Sequence, residues 1–585
     1  MLPRVMSLQP TPNFHFSHWH QREACQTHWH AIDTDFGTGQ YFLDTLQAWR
    51  SDTRAPTKLF YTALTEAPPE ACLSPISAFG FGLLPGVHRL SFEEGRVQLT
   101  LCIGPGPQMA KEIDMAADSI DARHLNAWDL RHIVRLCKAG THLHWTTASS
   151  ETAIQLPGMG FQMGHLPHTA TYRPAWKAKT SLRTAPSQAT SQLQKVVVIG
   201  AGLAGSAAAY SLAQRGWQVE VIDQGAQLGA GASGLPAGIF ATHVSPDNNV
   251  LSRITRDGVR ATIQRAAALL TNGFEWQMSQ LLEHRFHGKR QLPQGDDWPA
   301  EGLAWSCDAD IERKIHGGLS AETPALWHGI AGWVQTQALV QAQLQHEGIV
   351  TRLQTMVAKL VRQNSEWHLI DSNGKTISMA THVVLATAHA CQELLNSVAS
   401  TIPSTQLKRP HLPVTALRGQ VTYGPMQLIT ESLRGKLPKF PVNGHGSYIG
   451  EITPFNDADQ LPYWIVGSSF QRHDIDTQTR LEDQASNHQQ WAKLMPAWQA
   501  EISNGVDIQQ SHAWAGIRAA LPDRLPAVGA LNHPDFEGLH ICTGMGARGI
   551  SWSVLCGELL AAHMNHEPLP MAASLAKLMA ASRFG

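Results

Sequence analysis

Between Val196 and Asp223 the chain reads VVVIGAGLAGSAAAYSLAQRGWQVEVID, and few folds accommodate that order of residues. Val196–Ile199 is an uninterrupted apolar run, the pattern of a strand buried on both faces. Gly200, Gly202 and Gly205 follow at once. In that spacing the first glycine lets the chain turn sharply, the second lets backbone approach a pyrophosphate, and the third lets a helix pack against the strand. Ser206–Gln214 is alanine-rich and predicts a helix. Gly216 ends it, and Gln218–Ile222 is a second short strand that stops at Asp223. Strand, turn, helix, strand and acid in this compass describe a dinucleotide cradle. The helix N-terminus offers N–H groups to phosphates, and the Asp223 carboxylate stands where it can accept hydrogen bonds from a ribose. That acid argues against a 2′-phosphate but does not separate FAD from NAD.

At 585 residues the chain is too long for one core, so two or three domains are expected. The net charge of −2 excludes a global basic field, while a local basic face stays compatible with nucleic acid. The cysteines (Cys25, Cys72, Cys102, Cys137, Cys307, Cys391, Cys542 and Cys556) are scattered, with no C-x-x-C pair. That is the pattern of reduced thiols in a cytoplasmic protein, not of a disulfide framework or a zinc site. No basic stretch followed by an apolar run opens the chain, and no run of about 18 apolar residues occurs. A soluble, cytoplasmic protein without a membrane partner is expected.

The opening, Phe14–His30, carries His15, His18, His20, His28 and His30 without an Asp, Glu or Cys at a familiar ligand spacing. These read as surface or stacking histidines, and no metal is expected. Asp33-Thr34-Asp35-Phe36-Gly37-Thr38-Gly39 then leads into an apolar-periodic helix, Tyr41–Trp49. Lys58–Thr62 reads as a strand running to Glu66, placed like a ribose-binding acid. The pair suits a nucleoside cradle and an ordinary βα turn equally. Val97–Ile103 and Thr141–Thr147 read as strands and Leu130–Cys137 as a helix, so residues 30–170 form an alternating α/β unit. Tyr172–Lys195 has the composition of a linker: Pro174, Pro186, no acid, and the basic set Arg173, Lys177, Lys179, Arg183 and Lys195. It reads either as a solvated tether or as a strip that touches a phosphate backbone.

Beyond Asp223 a second glycine-rich loop, Gly229–Gly234, permits close approach to the rest of a dinucleotide. Leu251–Leu270 predicts a long helix, Gly332-Trp333-Val334 leads into a helix to about Gln345, and Val350–Val361 and Trp367–Ile370 predict strands with a hairpin at Gly374. His382–Thr387 is a buried-type strand returning to the dinucleotide sheet, and residues 410–515 read as β-rich. Two dense stretches close the chain: WAGIRAALPDRLP from Trp514, and ICTGMGARGI from Ile541 leading into a helix, Trp552–Met564. The second again sets a glycine turn before a helix N-terminus, suited to partial negative charge. No internal repeat is visible.

On these residues the sequence resembles the FAD-dependent amine and amino-acid oxidoreductases of the D-amino-acid and glycine oxidase type. The GAGLAG turn with Asp223, the GAGASG loop, AGIRAALPDRLP and the GMGARG turn carry the resemblance from Val196 to the C-terminus. With an α/β unit in front, the chain resembles the MnmC family of bacterial bifunctional tRNA-modification proteins, which make 5-methylaminomethyl-2-thiouridine at the wobble position. Phe36–Gly39, Leu84–Leu90 and Glu567–Pro570 carry that part.

The resemblance implies an α/β architecture. A Rossmann-like methyltransferase domain would span 1–171 and a basic linker 172–195. A Rossmann FAD-binding domain with an inserted β-rich substrate domain would span 196–585, with FAD-binding parts at about 196–272, 331–400 and 514–585 and substrate-binding parts at about 273–330 and 401–513. Gly200, Gly202, Gly205 and Asp223 would hold the ADP half of FAD, and Ala232, Ser233 and Gly234 would line the flavin side. Gly544, Gly546, Arg548 and Gly549 would lie at the isoalloxazine edge. Arg518 would clamp a substrate carboxylate, for which a guanidinium fork is suited.

The implied reaction is oxidation of a CH–NH group on tRNA, taking the carboxymethyl group from 5-carboxymethylaminomethyl-(2-thio)uridine to leave the aminomethyl form. The alternative is oxidation of a free small amino acid or secondary amine of the glycine or sarcosine type. In the first domain, Gly37, Gly39 and Glu66 would hold S-adenosylmethionine for the methylation that follows. There the chain departs from the family. Ala117-Asp118-Ser119-Ile120-Asp121-Ala122-Arg123-His124 stands where the family carries an Asp-Gly-Phe-Ala-Pro-like motif, and Thr34-Asp35 stands for Thr-Gly. The departure implies lost or weakened methyl transfer, the domain remaining as a tRNA-docking or packing module.

Overall fold

The computed structural model describes residues 18–22, 26–69, 73–125, 127–176, 194–286, 292–398, 410–454, 461–531 and 533–584. The chain divides into two compact units, Met1–Ser191 with Asn565–Ser574, and Gln192–Met564 with Leu575–Gly585.

The first unit is built on β1 (His28–Asp33), β2 (Lys58–Thr65), β3 (Gly86–Phe92), β4 (Val97–Ile103), β5 (Ala117–Asp121), β6 (Cys137–His144), β7 (Phe161–Met163) and β8 (Thr169–Tyr172). They form one sheet in the order β3-β4-β2-β1-β5-β6-β8-β7. The five strands from β4 to β6 are parallel and the outer ones antiparallel. All seven residues of β4 are buried, as expected of a parallel strand covered on both faces. Helix α1 (Gln40–Ser51) buries Phe42, Leu46 and Trp49, one stripe at helical spacing. The strand order reverses between β1 and β5, which puts a switch point at their carboxyl ends. The late segment with Pro568 and Leu569 belongs here: Arg89 donates to both carbonyls (3.1 and 2.7 Å), and the Ser574 N–H donates to Glu112 (2.9 Å). Tyr172, the first residue of the expected linker, ends strand β8; Lys177, Lys179 and Arg183 lie outside the described residues.

The second unit contributes β9 (Lys195–Ile199), β10 (Gln218–Ile222), β11 (Ile349–Arg352), β12 (His382–Leu385), β13 (Thr415–Pro425), β14 (Tyr463–Gly467), β15 (His512–Ala520), β16 (Ala527–Ala530) and β17 (Leu539–Thr543). Its dinucleotide sheet runs β11-β10-β9-β12-β17-β16, parallel except for the last strand. Helix α2 (Leu203–Ala213) follows β9 directly. Helix α3 (Val250–Leu269) and the last long helix flank it, and a side chain at Gly557 would meet the Ala207 carbonyl at 2.5 Å. A nine-stranded mixed sheet includes Leu281–His284, Ala325–His328, Gly446–Ile452, β13, β14 and β15. This is the inserted β-rich domain.

The structure refines three expectations. β15, which carries Arg518, pairs along its whole length with β13 in the nine-stranded sheet and not in the FAD-binding sheet. Residues 410–515 also hold helix α4 (Leu481–Leu494), whose polar sequence hides the buried Asp483, Asn487 and Trp491. Val350–Val361 is two strands in different sheets, Ile349–Arg352 and Lys359–Gln363, separated where Gln354 takes a φ of +52°.

Candidate active site

The turn after β9 is set by backbone meeting backbone. Gly200 has a φ of +111°, and a Cβ there would sit 2.5 Å from the Ala386 carbonyl at the end of the neighbouring strand. A Cβ at Gly205 would run into the carbonyl of Gly200 itself, so the helix approaches the strand only as glycine. Asp223 stands just past β10 and reaches back. Its carboxylate accepts from the Ala201 N–H (2.6 Å) and the Gly225 N–H (2.7 Å). The second glycine loop is stitched to the first. The Ser233 hydroxyl accepts from the Leu203 N–H (2.9 Å), and the Gly229 N–H donates to the Ala201 carbonyl (3.0 Å).

Strand β15 lies across this loop. Side chains two apart share a face, and on one face of β15 stand Trp514, Gly516, Arg518 and Ala520. A Cβ on Gly234 would meet the Trp514 indole nitrogen at 2.9 Å, and one on Gly516 would meet Ala232 Cα at 3.1 Å. Ala520 bridges to Met545 in the GMGARG turn. Arg518 sits between these contacts and runs over Gly419 of β13, where any side chain would clash with its guanidinium. It donates to the Ser468 hydroxyl (3.2 Å) and lies 5.8 Å from the Phe470 ring. No acidic side chain pairs with it among the described residues. Burial pulls its pKa below the ordinary guanidine value, and arginine stays charged even so. In the final turn Gly544 and Gly546 have φ of +82° and +54°. Helix α5 (Gly549–Met564) begins there, with Gly549 beside Leu203 of α2. Arg548, in the turn just before α5, lies over the ring of Trp552 in that helix at 5.6 Å.

The structure therefore brings Gly200, Gly202, Gly205, Asp223, Ala232, Ser233, Gly234, Gly544, Gly546, Gly549 and Arg518 into one neighbourhood. Trp514, the first residue of the WAGIRAALPDRLP stretch, belongs to it, and so do Gly419, Ser468 and Phe470, which were not singled out from sequence. A glycine inside a strand run, as in LRGQVTY, was the available signal for Gly419.

The MnmC-like turn of the first unit is arranged differently. Gly37 and Gly39 have φ of +53° and +89°, Gly39 caps α1 without a side-chain hydrogen bond, and Glu66 is exposed just past β2. At the switch point the buried Asp33 accepts from the Tyr61 hydroxyl (2.7 Å) and from Arg123 (3.1 Å). Arg123 also lies 3.8 Å from Asp35 and 5.0 Å from the Tyr41 ring, and Asp121 pairs with His144 at 2.9 Å. Burial pushes the Asp33 carboxyl up to about 7, against the pull of Arg123. Of the early histidines, His18 stacks on His142 at 4.2 Å and His20 pairs with Asp52. His30 corrects the surface reading: it is wholly buried on β1, bonded to Thr62 (2.9 Å) and the Ala116 carbonyl (3.2 Å). His15 lies outside the described residues. Among the described residues no group of three or more His, Cys, Asp or Glu is placed to hold a metal ion, and no helix is long and apolar enough to cross a membrane.

The family described as FAD dependent oxidoreductase matches residues 195–563. The tRNA 5-methylaminomethyl-2-thiouridine biosynthesis bifunctional protein MnmC of Polaromonas naphthalenivorans is 39% identical, over 94% of this chain and 89% of its own length. The protein of the same name from Polaromonas sp. is 38% identical, over 95% and 91%. The chain is a member of the MnmC family. In fold, the chain is similar over 67% of its length to L-proline dehydrogenase from P. horikoshii, at a TM-score of 0.50 and 18% identity over 98% of that chain.

This MnmC-family chain is thus an FAD-dependent oxidoreductase, and its second unit fits that cofactor. The turn holds Gly200 at a φ of +111°, α2 starts three residues on, and two backbone N–H groups fix the Asp223 carboxylate just past β10, which is the arrangement of a dinucleotide-binding turn.

Proposed function

We propose that the chain acts on a tRNA wobble uridine and removes the carboxymethyl group of 5-carboxymethylaminomethyl-(2-thio)uridine by FAD-dependent oxidation, leaving the aminomethyl form. One observation carries the reading. Arg518 is a half-buried guanidinium without an acidic partner among the described residues, on the strand face that packs against the Ala232–Gly234 loop. A cation held there suits a carboxylate, and the carboxymethylamino tail is a tethered glycine. Gly200, Gly202, Gly205 and Asp223 would hold the ADP half, Ala232–Gly234 and the 544–549 turn the flavin side.

FAD, when bound, supplies the hydride acceptor. Arg518 grips the carboxylate by its planar fork, while the Ser468 hydroxyl and the space over Gly419 fix the guanidinium. The tail then has little freedom left, which is where positioning lowers a barrier. The α-carbon gives up a hydride, the amine gives up a proton, and water adds across the resulting C=N bond. Glyoxylate and the aminomethyl group are the products.

In the first unit Gly37, Gly39 and Glu66 would hold the nucleoside side of S-adenosylmethionine. Arg123 engages Asp33 and Asp35 at the adjoining switch point, which supports a weakened methyl transfer and a role in docking tRNA or in packing.

The test is anaerobic mixing of the yellow purified protein with carboxymethylaminomethyl tRNA and, separately, with free glycine and sarcosine. Bleaching of the visible flavin bands by the tRNA, with glyoxylate released, is the expected result. Bleaching by the free amines alone would make the chain an oxidase of small amines, and a colourless protein would contradict both.

A further inference from the structure

On the far side of the Arg518 neighbourhood, a hollow of about 490 Å³ opens beside the segment Ser468–Gln471. Its size is that of a small-molecule site. Phe470 is 54% exposed at its rim, with one side toward Arg518. His445 lines it, its ring against Phe286 at 4.1 Å. From α4 come Ser486, Gln490 and Lys493, the last exposed and without an acidic partner among the described residues. The acid in the wall, Asp483, is already paired with the buried Arg418. The hollow is therefore an aromatic shelf, neutral hydrogen-bonding groups and a net positive charge. A second hollow of about 510 Å³, walled by Gln427, Thr430, Asn504 and Asp507, offers an acid and no cation, and does not share this chemistry.

An unpaired nucleotide has the complementary surface: a base that stacks on an exposed ring, edges that meet amides and hydroxyls, and a phosphate that meets a lysine. Resting on the tRNA reading above, we infer that this hollow seats a nucleotide neighbouring the modified uridine, with Phe470 stacking on its base and Lys493 on its phosphate. The Ser468–Gln471 segment is the link between the two places. Ser468 is bonded by Arg518 on one side and lines the hollow on the other, so a nucleotide in the hollow and a carboxylate on Arg518 share one wall.

The test uses the full-length, flavin-loaded protein and measures the dissociation constant of carboxymethylaminomethyl tRNA at several salt concentrations, with flavin reduction at saturating tRNA as a second readout. Phe470→Ala is expected to weaken tRNA binding about tenfold, and Phe470→Trp to keep it. Lys493→Gln is expected to lower the slope of log affinity against log salt by about one. Unchanged affinity and slope would overturn the inference. So would slower flavin reduction at saturation with unchanged affinity, since Phe470 would then act only by holding Arg518. If saturating tRNA leaves the wild-type flavin oxidised, the underlying reading falls, and that result is distinct from either.

Discussion

After β9 the chain turns at Gly200 into α2; after β1 it turns at Gly37 and Gly39 into α1. Both turns stand at the carboxyl end of a parallel strand beside a switch point, and both are followed by a strand that ends at an acid. Their neighbours differ. At Gly200 and Gly205 the missing side chains would strike main-chain carbonyls, which cannot move aside. Both oxygens of Asp223 are held by backbone N–H groups, one from the Gly200 turn and one from the loop after β10. At Gly39 the missing side chain would meet the ends of Ile76 and Phe36, Glu66 is exposed, and the acids nearest the switch point are engaged by Arg123. A cradle specified by backbone against backbone is rigid and permits few replacements. One specified by side chains can drift.

The largest contrast should come from filling each turn. Gly205→Val should leave the protein colourless and the second unit unfolded, read by visible absorbance and thermal melting. Gly39→Ala should cost on the order of 1 kcal/mol for a side chain in the left-handed region and leave the flavin in place. Equal losses from the two would erase the distinction.

A narrower probe is Gly419→Val, which removes the space that the Arg518 guanidinium occupies. It should lower kcat/KM for tRNA by roughly a hundredfold while the flavin spectrum persists, since misplacing a binding group by about an ångström costs on that order. Smaller again is Asp223→Ala. It deprives two N–H groups of a charged acceptor and should weaken FAD binding roughly tenfold to a hundredfold, whereas Glu66→Ala should leave FAD titrations unmoved.

The gentlest probe is pH. Asp33 has a folded pKa of about 7, above the unfolded value of about 3.9. The folded state therefore binds the extra proton between those values, and the Asp33 contribution to stability falls as the pH rises from about 4 to about 7, then stays flat. Asp33→Asn should flatten that part of the first unit's stability profile.

These contrasts also mark how much could be read before folding. The Val196–Asp223 cradle was legible because each glycine answers a local steric demand within one strand–turn–helix. Arg518 was legible only through resemblance, since a strand position says nothing about which sheet the strand joins; β15 pairs with β13, about a hundred residues earlier in the chain. Ser468 and Phe470 reach Arg518 only through that pairing, and neither has a local signature. Helix α4 was hidden because its buried positions include Asp483 and Asn487, polar groups that a periodicity count assigns to solvent. In the first unit His30 looked like a surface histidine until β1 was placed in the centre of its sheet.

The most direct measurement is rapid anaerobic mixing of Arg518→Ala with carboxymethylaminomethyl tRNA, following the flavin band. If Arg518 holds the carboxylate, the variant should keep its yellow spectrum and reduce its flavin roughly 10²- to 10³-fold more slowly than wild type, the loss that follows when one partner of a buried charge pair is removed. Reduction at the wild-type rate would mean that the carboxylate is held elsewhere, and the account of this site would be wrong.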